Sequence, residues 1–176
     1  MLLGEHAVLH GRLALVCAIS TRIRVTLTPR PDAEIHLTSG LGQYVTTIKE
    51  LGKHPDFSFV LTAIYNQRQD LPSGFDLQID SEFSHQIGFG SSAAVTVATT
   101  AALKHWIRQE RNQHARTQPE TLFEQDDLGS IFEDSLRVVR AVQGVGSGAD
   151  VAASVYGGIL TYRAKPLDIE KLSAIH

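Results

Sequence analysis

The sequence has one cysteine, no long apolar run and no excess of positive charge. Cys17 cannot form an internal disulfide, and a single thiol in an apolar stretch is typical of a core residue in a reducing compartment such as the cytoplasm. The longest apolar run covers residues 13–19 and is too short to cross a bilayer. The net charge of −3 predicts neither nucleic acid nor an anionic membrane as a partner.

Several catalytic motifs are also absent. No HExxH sequence is present, which argues against the usual zinc hydrolases. No GxSxG sequence is present either, and this argues against an α/β-hydrolase. The length of 176 residues, with 43% hydrophobic and 20% charged residues, is typical of one globular domain with a real core.

Alternating apolar and polar residues predict strands, and apolar residues at helical spacing predict helices. A helix is expected from Pro55 with Asp56 as its N-cap, and residues 108–118 are expected to form an exposed connection. The predicted strands cover residues 21–28, 33–38, 75–80 and 159–163, and the other predicted helices cover residues 93–103 and 128–143.

A glycine-rich stretch, residues 87–94, lies between a predicted strand and a predicted helix. Gly88 and Gly90 allow the backbone to approach a ligand closely, and the free N–H groups at a helix start suit an anion such as phosphate. Ser91 and Ser92 add hydroxyl groups, which can donate to phosphate or bind Mg²⁺ through oxygen. An ordinary helix start with a serine N-cap is the alternative interpretation. The Walker pattern does not apply because no lysine follows the glycines.

A second glycine-rich stretch ends at Asp150 and is followed by an alanine-rich segment. Phosphoryl transfer needs a phosphate cradle, an oxygen ligand for Mg²⁺ and a carboxylate near the acceptor hydroxyl. Asp150 could supply that carboxylate, or it could be a helix N-cap. Glu5 and His6, near the start of the chain, could contact a substrate, although His6 could equally be a hydrogen-bonded loop residue.

Three stretches together resemble the GHMP small-molecule kinases. The sequence GEHAVLHG at residues 4–11 is similar to the first motif of that family, and in this stretch the similarity is greatest to mevalonate kinases. GFGSSAA at residues 88–94 resembles the family's phosphate loop. SGAD at residues 147–150, followed by Tyr156, resembles the segment that carries the catalytic aspartate, here closer to phosphomevalonate kinases.

This resemblance implies a two-layer α+β fold of the ribosomal protein S5 domain 2-like kind, and ATP and Mg²⁺ as cofactors. It implies that Asp150 is catalytic and that Ser92, or Ser91, binds Mg²⁺ and the phosphates. Glu5 and His6 would bind the acceptor. The remaining residues assigned to ATP and phosphate binding are Gly88, Gly90, Ser91 and Ala93.

The resemblance also implies a domain organisation. Residues 1–176 correspond to the family's N-terminal, ATP-binding domain, and we expect its first strand and the second, C-terminal domain to be lacking. No strand is expected to precede and anchor Gly4. Mevalonate kinases carry a second Mg²⁺ ligand, a glutamate, at the position that we match to Val139.

The expected function is ATP-dependent phosphorylation of a small-molecule alcohol, mevalonate, in isoprenoid precursor synthesis. Phosphorylation of phosphomevalonate is the first alternative. The second alternative is a truncated, non-catalytic domain that binds a nucleotide or a partner, in which an uncovered apolar face favours a homodimer.

Overall fold

The computed structural model describes residues 1–82, 90–115 and 125–172. The described residues form seven strands and four α-helices. The strands are β1 (Ala14–Cys17), β2 (Ile23–Pro29), β3 (Glu34–Ser39), β4 (Gly42–Thr47), β5 (Phe75–Ser81), β6 (Ile159–Ala164) and β7 (Leu167–Lys171). The helices are α1 (Ser58–Gln67), α2 (Ser91–Ala115), α3 (Gln125–Gln143) and α4 (Ala149–Tyr156). Mixed helix and sheet was the expected fold class, and it is confirmed.

One sheet has four strands in the order β2-β5-β3-β4. β2 and β5 are antiparallel, with Val25 opposite Ile79, whereas β3 and β5 are parallel. The alternation that predicted β2, β3 and β5 arises because one face of the sheet is buried and the other meets solvent. β4 was not predicted. It pairs with β3 through the turn at Gly40 and Leu41.

The other sheet has three strands in the order β1-β6-β7, all antiparallel. Leu3 forms an isolated antiparallel bridge with Leu15 of β1, and their backbone groups exchange hydrogen bonds of 2.9 and 3.2 Å. Among the described residues no strand precedes Gly4, but this bridge ties the residues just before it to the sheet.

Two helix predictions need correction. α1 begins at Ser58 after a 3-10 turn over Pro55–Phe57, so Asp56 lies inside that turn and is not the N-cap. α2 extends to Ala115, so residues 108–115 of the expected exposed connection are helical, and residues 116–118 lie outside the described residues. Polar residues there continue a helix whose apolar side chains, including Trp106 and Ile107, are buried.

The hydrophobic core consists of two clusters that α2 joins. Ala93 and Val97 at its start pack in the cluster around the three-stranded sheet, α3 and α4. Leu103 and Trp106 farther along pack in the cluster around the four-stranded sheet and α1. The helix therefore places its N-terminus at the junction of the two sheets. Within the described ranges, no helix is both long and apolar enough for a bilayer crossing.

Candidate functional site

A cleft of about 700 Å³ opens beside the N-terminal half of α2. Its walls come from the start of the chain, the connection between β1 and β2, α2 and α4. Glu5, Gly90 and Asp150, one from each of the three motif stretches, all line it. The other lining residues are Met1, Cys17, Ala18, Ile19, Thr21, Arg22, Ile23, Ala94, Val97, Ala98, Ala153, Ser154 and Gly157.

Gly90 brings the start of α2 against the carboxyl group of Asp150. Its φ is +79°, and a Cβ placed on it would lie 3.7 Å from both Cβ and Cγ of Asp150. α2 begins at the next residue, and the first hydrogen bond of the helix runs from Ala94 N–H to Gly90 O at 3.0 Å. The donors of the first turn and the positive end of the helix dipole therefore lie close to this carboxylate.

Asp150 is held at the cleft by the glycine two residues before it. Gly148 has a φ of +89° and is the N-cap of α4, so Asp150 lies in the first turn and the N-cap interpretation of Asp150 is wrong. A Cβ on Gly148 would lie 2.7 Å from Tyr162 Oη and 2.8 Å from Leu136 Cδ1. Only glycine fits there, because both the backbone conformation and the space exclude a side chain.

The loop before α4 is also tied to β6. Tyr162 Oη donates a hydrogen bond of 2.5 Å to the carbonyl of Ser147, and Ser147 Oγ accepts one of 3.3 Å from Ala149 N–H. Tyr162 is fully buried, and this burial raises the pKa of its hydroxyl, which keeps it protonated and able to donate. The exposed Asp150 thus follows a loop that these two hydrogen bonds hold in place.

Ser91 and Ser92 line a second pocket, of about 320 Å³, and not the main cleft. This pocket lies between the start of α2, the β3–β4 turn and the start of α1. Ser92 Oγ accepts a hydrogen bond of 3.4 Å from Gln143 Nε2 at the end of α3. The N-terminus of α2 therefore separates two pockets, with Gly90 and Asp150 on one side and the two serines on the other.

The side chains of the other predicted site residues that the structure describes, apart from Glu5, are not among those that line the main cleft. His6 is exposed and is not among the lining residues of either pocket, whereas the neighbouring Glu5 lines the main cleft. Ala93 is buried, so only its backbone can meet a ligand. Gly88 lies outside the described residues.

One charged residue that lines the main cleft was not predicted from the sequence as a site residue. Arg22 lines the cleft just before β2, within the alternating stretch of residues 21–28 that predicted a strand. Arg22 and Arg24 have the same alternation pattern, so the sequence contains no signal that only the first borders a cleft.

The residues present fit ATP and Mg²⁺. Within the described ranges no three His, Cys, Asp or Glu side chains are grouped to hold a metal ion. Mg²⁺ bound together with a nucleotide usually takes only one or two protein oxygens beside phosphates and water. The hydroxyl of Ser92 provides such an oxygen, and the N-terminus of α2 provides donors for phosphate.

Comparisons with known proteins identify a family of similar sequences and structures. The sequence model of the family described as GHMP kinases N terminal domain matches residues 58–158. A mevalonate kinase from Archaeoglobus fulgidus is 35% identical over 160 residues, which cover 90% of this chain and 48% of that protein. A phosphomevalonate kinase from Saccharolobus solfataricus is 30% identical over 173 residues, covering 94% of this chain and 47% of that protein.

A solved structure of a mevalonate kinase has the same fold. It matches with a TM-score of 0.74 and 24% sequence identity, covering 98% of this chain and 53% of that chain. This chain therefore spans about half the length of the relatives that it matches.

Proposed function

This chain belongs to the GHMP kinase family, and from that premise we propose that it serves ATP-dependent phosphoryl transfer to mevalonate. The observation that carries the proposal is the meeting of Glu5, Gly90 and Asp150 in one cleft at the start of α2. These residues are far apart in the sequence, and each belongs to a different motif stretch. A small-molecule kinase needs such a meeting, because the acceptor hydroxyl and the phosphate must be held side by side.

The N-terminus of α2 is the proposed phosphate site. Its free N–H groups and dipole favour the phosphates of ATP, and Gly90 leaves space for them because it has no side chain. Ser92 is the proposed oxygen ligand for Mg²⁺, with Ser91 beside it. When bound, Mg²⁺ would neutralise negative charge on the phosphates during transfer.

Asp150 is the proposed catalytic residue. The oxygen of the acceptor hydroxyl forms a bond to the γ-phosphorus, ADP leaves, and the proton of the hydroxyl passes to the carboxylate of Asp150. The hydrogen-bonded loop that precedes Asp150 supports this role, because a general base must stay within hydrogen-bond reach of the proton it accepts. Glu5 is proposed to contact the acceptor in the cleft, and His6 would contact it only after a change in side-chain position.

Phosphomevalonate is the second candidate acceptor. Val139, at the position we match to the second Mg²⁺ ligand of mevalonate kinases, is buried and lies 3.7 Å from the position of a Cβ on Gly146. A valine cannot bind Mg²⁺, and a phosphomevalonate kinase is among the relatives at 30% identity. Both facts support phosphomevalonate as the second candidate acceptor.

A non-catalytic binding domain is the alternative from another class. Leu13, Ile159 and Leu167 of the three-stranded sheet and its surroundings are large apolar side chains that are exposed by 45–52%. Exposed apolar surface of this kind favours association, so a homodimer would fit this alternative.

We also propose that residues 1–176 form an ATP-binding domain and that the protein is located in the cytoplasm.

Replacing the catalytic carboxylate separates binding from chemistry. We expect Asp150→Asn to lower acceptor-dependent ADP release by about 10²–10⁴-fold, the usual effect of losing a positioned acid or base. Its affinity for Mg²⁺-ATP should be unchanged in a calorimetric titration, because the helix N-terminus is intact. Asp168→Asn on β7 is the matched control, and a parent-like rate in Asp150→Asn would remove this residue from the mechanism.

A further inference from the structure

Arg22 is the one cationic side chain among the described residues that line the main cleft. The two acidic side chains there, Glu5 and Asp150, would repel an acceptor that is itself an anion. Mevalonate and phosphomevalonate are both anions at neutral pH because each carries a carboxylate. A cleft that takes either one needs a positive group to offset this repulsion.

The backbone of Arg22 is fixed where the strand meets the cleft. Its N–H donates a hydrogen bond of 2.9 Å to Glu82 Oε2, and its carbonyl accepts one of 3.0 Å from Glu82 N–H. Glu82 directly follows β5, so these bonds join the start of β2 to the end of β5, with which it is paired. The sheet therefore fixes where the backbone of Arg22 meets the cleft.

The guanidinium of Arg22 makes no ion pair or hydrogen bond with any residue that the structure describes. Other arginines near acidic residues are paired: Arg30 with Asp32 and Asp76, and Arg111 with Asp70. Arg22 thus has side-chain donors that no described residue occupies, and it lies in a cleft large enough for a small molecule. A guanidinium is suited to hold a carboxylate through two parallel hydrogen bonds.

We propose that Arg22 determines acceptor specificity by binding the carboxylate of a hydroxy-acid acceptor in the main cleft. This inference rests on the proposed function, because it takes the main cleft as the acceptor site. It adds the residue that should make the cleft select an anionic alcohol over a neutral polyol. Arg22 is a binding residue in this proposal and takes no part in proton transfer.

The test compares Arg22→Gln with Arg24→Gln. Arg24 lies two residues along the same strand, is also exposed and does not line the cleft, so it controls for loss of charge alone. We expect Arg22→Gln to raise the Kd and KM for mevalonate about ten- to a hundredfold, the range of one hydrogen bond to a charged group. The kcat and the affinity for Mg²⁺-ATP should stay at the parent values, and Arg22→Lys should recover part of the loss.

The neutral amide of mevalonate identifies the group that Arg22 binds. Parent protein and Arg22→Gln should bind this amide equally if the carboxylate is the partner. A loss confined to phosphomevalonate would instead assign Arg22 to the phosphate and overturn the carboxylate assignment. Equal affinity of parent and Arg22→Gln for mevalonate, or an equal loss with the amide, would overturn the proposal.

Failure of the underlying kinase assignment gives a different result. In that case the parent protein would bind neither acid, or Asp150→Asn would keep the parent rate. A parent protein that bound a neutral sugar in place of both acids would overturn the Arg22 proposal as well.

Discussion

The two sheets of this protein are specified in different ways. The four-stranded sheet is built on plain alternation, and its buried residues, such as Leu37, Phe75 and Leu77, form an ordinary core with α1 and α2. Glu5 and Asp150 lie close to the three-stranded sheet and α4. In this region, glycines with positive φ pack closely against neighbouring atoms. The comparison indicates that the hydrophobic pattern determines the strands and helices of the core, which we call the frame. The glycine conformations determine where the candidate site residues lie.

The largest stability effect should come from the core of the four-stranded sheet. Phe75 is fully buried and meets Trp106 edge to face, with ring centroids 5.6 Å apart. Phe75→Ala should lower the free energy of unfolding by about 3–5 kcal/mol because it leaves a cavity. Urea denaturation measures this loss, and Phe75→Leu is the conservative control.

The comparison of the two sheets also predicts what Phe75→Ala leaves intact. Phe75 lines neither pocket, so nucleotide affinity per folded molecule should match that of the parent. If fully folded Phe75→Ala lost nucleotide binding, the core of the four-stranded sheet and the candidate site would not be independent of each other.

A smaller stability effect, combined with a loss of function, is expected at Gly148. Gly148→Ala should cost about 1–2 kcal/mol for the left-handed backbone and about 1–3 kcal/mol for overpacking against Tyr162 and Leu136. Because the loop must shift, the rate of phosphoryl transfer by the folded protein should also fall. Unfolding curves and ADP release measure the two effects.

Gly144 provides the matched control for Gly148. Its φ is +78°, but a Cβ there would have no atom within 4 Å. Gly144→Ala should therefore cost only the backbone term, about 1–2 kcal/mol, and leave the rate of the folded protein unchanged. Equal losses of rate in the two variants would show that the tight fit of Gly148 does not position Asp150.

The smallest effect should come from an exposed ion pair in the connection between β2 and β3. Arg30 donates to Asp32 and holds the pKa of that carboxyl at about 2, below its usual value. A lowered pKa in the folded state gives stability that is present above pH 4 and is lost as the pH falls towards 2. Asp32→Asn should therefore be slightly less stable than the parent at pH 7, because the pair is exposed and screened by solvent.

Unfolding midpoints measured from pH 7 to pH 2 check this prediction. The gap between parent and Asp32→Asn should narrow below pH 4 and close near pH 2. Asp168→Asn serves as the control because Asp168 makes no ion pair with the residues described. A gap that stays constant down to pH 2 would mean that the charge of Asp32 does not contribute.

Much of the frame could be predicted from the sequence because burial of one face leaves a periodic signal. Strands β2, β3, β5 and β6 and helix α3 followed from such periodicity. β4 was missed because its residues Gly42–Thr47 have little buried apolar surface. The second half of α2 was misread because its polar residues look like a loop, although Trp106 and Ile107 still pack on the core.

The candidate site could be predicted only as three separate motif stretches. Periodicity carries no information on which loops meet, so the proximity of Gly90 to Asp150 required the fold. Arg22 was missed for the same reason. The local sequence around an arginine at a strand end is the same whether that arginine borders solvent or a cleft. The separation of Ser92 from the main cleft also depends on how α2 divides the two pockets.

Acceptor-dependent ADP release tests the central claim most directly. The protein is supplied with Mg²⁺-ATP and with mevalonate, phosphomevalonate or no acceptor, and ADP is measured over time. We predict that mevalonate stimulates release and that the blank stays low, with stimulation by phosphomevalonate instead pointing to the second candidate. Release that neither acid stimulates, in protein shown to bind the nucleotide, would contradict the account and favour the binding-domain alternative.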